Sequence, residues 1–69
     1  MQNEKFQIRT YGKSELAMLY FPRHSTEAAM RNFRVWLEVN PRLRHLRKVK
    51  GYFFTPRQVA MIVEEVGQP

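Results

Sequence analysis

Any chemistry in this chain has to come from two histidines, two serines and six glutamates, because aspartate and cysteine are both absent. His24 and His45 are far apart in sequence with no Cys or Asp beside either, so the donor spacing of a tetrahedral zinc site is missing. Ser25 follows His24 directly, yet a nucleophilic serine needs a base held in place by a third group, and there is no aspartate to do that. Ser25 reads instead as the cap of a helix, and Glu64-Glu65 as a solvated helix face. We therefore expect no enzymatic activity, no cofactor and no metal.

Charge is the stronger signal. Residues 31–50 contain Arg31, Arg34, Arg42, Arg44, Arg47, Lys48 and Lys50 against Glu38 alone, so this stretch accounts for the whole formal excess of +6. Clustered Lys and Arg gain free energy by releasing the counterions condensed on a phosphate backbone. These seven residues are the candidate nucleic-acid-binding set, with duplex DNA the favoured partner and phosphate positioning the expected mode. The competing reading is a solvated helix face in which Glu27, Arg31, Arg34 and Glu38 pair four residues apart, each pair contributing about 0.2–0.5 kcal/mol.

The elements that must position these residues are legible from spacing and punctuation. Phe6–Tyr11 alternates, which predicts a short edge strand with Phe6 and Ile8 inward and Gln7, Arg9 and Tyr11 outward, interrupted at Gly12. From Lys13 or Ser14 to Tyr20 the chain is rich in helix formers, with Leu16, Leu19 and Tyr20 at helical spacing, and Phe21-Pro22 ends the helix because the residue before proline avoids helical dihedrals. Ser25 caps a second helix whose apolar stripe is Ala29, Phe33, Trp36 and Leu37. Asn40-Pro41 stops that helix and either restarts a short one or begins an irregular arm, with Leu43 and Leu46 inward and Arg42, Arg44 and Arg47 outward.

Leu46–Phe54 reads as a hairpin turning near Gly51, with β-branched and aromatic residues on its arms. Thr55-Pro56-Arg57-Gln58 combines a capping threonine, proline at the first helical position and a glutamine that closes a capping box. The helix it starts should bury Val59, Ile62, Val63 and Val66, expose Arg57, Gln58, Met61, Glu64 and Glu65, and end at Gly67. The fold class expected is α+β and mostly α: one domain over residues 1–69, winged-helix-like, with three main helices, a short N-terminal strand and a β-hairpin wing.

The residues also carry a resemblance. Tyr11-Gly12-Lys13-Ser14-Glu15-Leu16-Ala17 looks like the first-helix entry in the DNA-binding domains of the mercury-resistance regulator and phage excisionase superfamily. Phe54-Thr55-Pro56-Arg57-Gln58-Val59 is similar to the start of the helix that follows their wing. At closer range almost the whole chain resembles a family of short bacterial proteins catalogued as a domain of unknown function, through the blocks Tyr11 to Pro22, Asn40-Pro41-Arg42-Leu43 and Phe54 to Gly67. The superfamily resemblance implies a helix-turn-helix in which Leu16 to Tyr20 support and Thr26 to Glu38 recognise. It also implies Arg31 and Arg34 at the groove of DNA, with Lys48 and Lys50 on the wing. Phe21-Pro22-Arg23-His24 departs from the tight glycine turn of many such proteins.

Other readings bound the function. Lys50-Gly51-Tyr52-Phe53-Phe54 partly mimics strands that stack unpaired bases, but Thr55-Pro56 ends the run at once, so Tyr52 and Phe54 are assigned to wing and core packing. Trp36 is likewise assigned to the core. Phe33, Trp36 and Leu37 are needed for the core of so small a domain, which argues against a basic helix lying on a membrane. No secretory-type apolar run opens the chain, and the expected location is the cytoplasm. The alternative function is a protein-interaction adaptor on the same scaffold, marked by Met18, Val35 or Met61 joining into an apolar patch.

Overall fold

The computed structural model describes residues 6–69. In chain order it contains β1 (Tyr11–Gly12), α1 (Lys13–Tyr20), α2 (Thr26–Val39), a 3-10 helix (Arg44–Lys48), β2 (Phe53–Phe54) and α3 (Pro56–Val66). The class is α+β and mostly helical, with one antiparallel two-stranded sheet in which Tyr11 faces Phe54 and Gly12 faces Phe53.

Local chemistry sets the helix ends. The Ser25 hydroxyl accepts from the Ala28 N–H at 3.2 Å, capping α2 as the sequence predicts. At α3 the capping box is complete, with Thr55 Oγ1 accepting from the Gln58 N–H at 3.2 Å and Gln58 Oε1 accepting from the Thr55 N–H at 2.9 Å. Gly67 closes α3 at φ +88°, where a side chain would be strained. α1 has half of such a box: Glu15 accepts from the Gly12 N–H at 3.1 Å, and glycine has no side chain to reciprocate. That hydrogen bond, followed by the one from Arg9, holds the Glu15 carboxyl below its ordinary pKa.

All the elements share one core. Leu16 and Ala17 come from α1, Ala29, Phe33 and Leu37 from α2, Leu43 and Leu46 from the segment around the 3-10 helix, and Val59 and Ile62 from α3, with Tyr11 and Phe54 from the strands. Trp36 is only half-buried, packed edge-on against Tyr20 at 5.3 Å and tilted against Phe21 at 4.7 Å between ring centroids.

Several local expectations change. The strand occupies Tyr11–Gly12 rather than Phe6–Tyr11; Phe6 packs against the core and Gln7 and Arg9 are exposed as expected, but Tyr11 is buried and Ile8 is 47% exposed. Its partner β2 is equally short, confined to Phe53–Phe54 between the turn at Gly51 and the cap at Thr55. Tyr11 is held inward by stacking on Phe6 and by donating its hydroxyl to the Gln7 carbonyl at 2.9 Å. β2 finds its antiparallel partner in β1, whereas Leu46–Lys48, proposed as the first arm of the wing, is 3-10 helix. Here the backbone bonds close three residues apart, the Leu46 N–H to the Leu43 carbonyl at 2.9 Å and the Val49 N–H to the Leu46 carbonyl at 3.3 Å, and they leave Leu43 and Leu46 both buried in the core.

The stop at Asn40 is a turn: its side-chain oxygen accepts from the Arg42 N–H at 3.0 Å and its carbonyl from the Leu43 N–H at 2.9 Å. In α1, Leu19 is exposed and Ala17 takes its expected place in the core. In α3, Val59 and Ile62 are buried, whereas Val63, Val66, Met61, Gln58 and Glu65 are half-buried.

Candidate nucleic-acid interface

Between the start of α1, the outer side of α2, the 3-10 helix and the loop before β2 lies an open groove of about 400 Å³. α2 contributes Met30, Phe33, Arg34 and Leu37, the 3-10 helix Leu46 and Arg47, α1 Lys13 and Ser14, and the loop and β2 Gly51, Tyr52 and Phe54. The floor is apolar, three cations stand along it, and no carboxylate lines it. A shallower depression adjoins it on α2, lined by Thr26, Glu27, Met30, Arg31 and Arg34. Arg34 and Met30 belong to both.

The seven basic residues singled out by the sequence divide into four groups. Arg31 and Arg34 are exposed, three residues apart on α2, and neither forms an ion pair with a carboxylate of the described residues. The expected pairing within α2 is therefore not made. Glu38 is instead held by Arg47 from the 3-10 helix at 2.9 Å, so Arg47 lines the groove with its charge partly compensated.

Arg42 and Arg44 do structural work. Arg44 Nε donates to the Glu38 carbonyl at 3.2 Å, satisfying one of the orphan carbonyls in the last turn of α2. Arg42 reaches Glu65 at 3.4 Å, and Asn40 Nδ2 donates to the same carboxylate at 3.3 Å, so the acidic end of α3 is tied to the turn after α2. Lys48 and Lys50 are exposed, and neither makes an ion pair among the described residues.

The family model for a domain of unknown function, DUF4248, matches residues 7–69. The chain belongs to the DUF4248 family. No curated protein and no solved structure matches it. The match spans all three sequence blocks on which the resemblance to a family of uncharacterised proteins rests. The likeness to mercury-resistance regulators has no such support.

In this DUF4248 domain the groove gains two residues that charge clustering passed over. Lys13 lies far from residues 31–50 in sequence, but its ammonium donates to the Val49 carbonyl and sits 5.6 Å from the centre of the Phe54 ring, at the groove wall. Tyr52, expected to pack in a wing, is 83% exposed at the groove mouth. Tyr52 lies in the bend before β2, placed there by the turn at Gly51 and by its carbonyl accepting from the Lys13 N–H at 2.8 Å. Placing Lys13 needed the pairing of β1 with β2. Among the described residues no three His or Glu side chains gather as a metal site, and no helix is long and apolar enough to cross a membrane.

Proposed function

We propose that this DUF4248 domain binds nucleic acid through phosphate contacts from Arg31, Arg34, Arg47 and Lys13, with Lys48 and Lys50 adding to the local field. It would act as a non-enzymatic regulator or accessory factor in the bacterial cytoplasm. The observation that carries the reading is the state of Arg31 and Arg34. Both are exposed on one stretch of α2 with no carboxylate partner among the described residues, and Arg34 opens onto a groove that carries two further cations and no acid. Cations along an apolar trough suit an anionic chain, and the guanidinium of Arg34 offers a planar fork to phosphate oxygens. Duplex DNA, the sequence-level expectation, relies on a projecting wing beside α2. Here the Val49–Tyr52 loop instead closes one side of a trough.

The test is fluorescence anisotropy of labelled duplex and single-stranded oligonucleotides at roughly 50 and 200 mM salt. Four phosphate contacts correspond to an affinity loss of about 50- to 150-fold between those salts. Removing two contacts by Arg31→Ala with Arg34→Ala should weaken binding at low salt and halve the slope, while leaving the fold intact, because surface changes of this kind stay within about 0.5 kcal/mol. Unchanged affinity in the double variant rejects the role of α2.

A second reading has its own observation. Val35 and Val39, four residues apart on α2, are 52% and 68% exposed, an apolar strip of the sort an adaptor presents. Absence of nucleic-acid binding at the lower salt would leave that reading in place.

A further inference from the structure

The groove has features that a phosphate-binding surface alone does not need. Its floor includes the rings of Phe33 and Phe54, and its mouth holds Tyr52, which is 83% exposed and makes no hydrogen bond through its hydroxyl among the described residues. An exposed tyrosine ring offers an apolar face on which a planar group can stack. Gly51, at φ +89° with open space around its α-carbon, makes the turn that brings Tyr52 to this position immediately before β2. Arg34 from α2 and Arg47 from the 3-10 helix line the same trough.

We infer that the groove takes an unpaired nucleotide of a single-stranded nucleic acid, its base stacked on Tyr52 and its flanking phosphates held by Arg34 and Arg47. This rests on the nucleic-acid reading above and narrows it. In a duplex the base faces are stacked on one another and only their edges reach a protein, so an aromatic face beside a cationic trough is usable only by a base that has left its stack. Stacking against an exposed aromatic is tolerant of sequence, which suits a site with few side-chain amides or hydroxyls to read base edges. The size is consistent, since about 400 Å³ falls in the range of small-molecule and nucleotide sites, roughly 300–1,000 Å³. Charge complementarity narrows the occupant to an anion, since an apolar segment would leave Arg34 facing it without a counter-charge, and the exposed Tyr52 ring favours one that carries a planar base.

Phe53 provides an internal control. It is also exposed, at 61%, but strand alternation turns it to the other side of β2 and it does not line the groove. Anisotropy titrations at low salt with an oligothymidylate, the oligouridylate of equal length and a duplex of equal length should rank both single strands above the duplex. Tyr52→Ala should weaken single-strand binding by about 5- to 150-fold, Tyr52→Phe should retain it, and Phe53→Ala should leave it unchanged. Equal affinity of Tyr52→Ala and the native protein for the single strand, or full displacement of the strand by equimolar thymidine monophosphate, overturns the inference. If duplex and single strand bind alike and both are lost only in Arg31→Ala with Arg34→Ala, the phosphate reading stands without the stacked base. If no oligonucleotide binds, both fall.

Discussion

Tyr20 joins two ends of the molecule. Its hydroxyl donates to the Gly67 carbonyl at 2.6 Å, just beyond α3, while its ring stacks with Phe33 at 5.9 Å and meets the edge of Trp36 at 5.3 Å. Burial pushes its pKa up to about 12, because the phenolate would have to lose water on leaving solvent. The unfolded chain releases this proton near pH 10, so its contribution to stability is full below that value and is lost as the pH rises toward 12. Tyr20→Phe should cost about 1 kcal/mol at neutral pH by removing the hydrogen bond, and should flatten part of the alkaline loss. Urea midpoints for both proteins between pH 8 and 11.5 test this. Parallel curves would show that Tyr20 is solvated.

At the scale of elements, caps and turns carry much of the fold. α3 has three signals in succession, Thr55, Pro56 and Gln58, and each has the geometry its type requires. Thr55→Ala removes the acceptor for the Gln58 N–H and should destabilise the domain by about 1 kcal/mol, with Thr55→Ser near native. Chemical denaturation reads the difference, and a native-like Ala variant would mean that water replaces the cap without loss. The two-stranded sheet obeys other rules. A pairing of two residues on each side has little stability of its own, and β1 and β2 hold because Tyr11 and Phe54, which face each other, are both core residues. Sequence spacing favours a local hairpin at Gly51. Burial of Leu43 and Leu46 commits the preceding segment to a 3-10 helix and leaves β2 to a distant partner.

The whole molecule is held by one small core, and a chain of this length has about 3–10 kcal/mol of net stability to lose. Phe33 lies at its centre, 3% exposed and in ring contact with Tyr20, Trp36 and Phe54. Phe33→Ala should cost about 3–5 kcal/mol and leave much of the protein unfolded, whereas half-buried Trp36→Ala should cost less. Circular dichroism melts of the two variants check the order, and the reverse order would place the centre of the core at Trp36. Charge is distributed on the same scale. Arg42 and Arg44 tie the turn and 3-10 helix to α3 and α2, while Arg31, Arg34, Arg47 and Lys13 surround the trough.

The sequence by itself determined the three helices and their ends, the inward Leu43 and Leu46, the cation-rich stretch and the family, because caps, proline stops and helical periodicity act within a few residues. It marked Arg31 and Arg34 as available although paired weakly with Glu27 and Glu38; in the structure neither pair is made, and Glu38 turns to Arg47. Only the tertiary structure decided which strand pairs with Phe53–Phe54, which cations join the groove, and that Lys13 and Tyr52 belong to it. Those outcomes depend on contacts between residues tens of positions apart. They were settled by competition for burial in a single core, which no local spacing encodes.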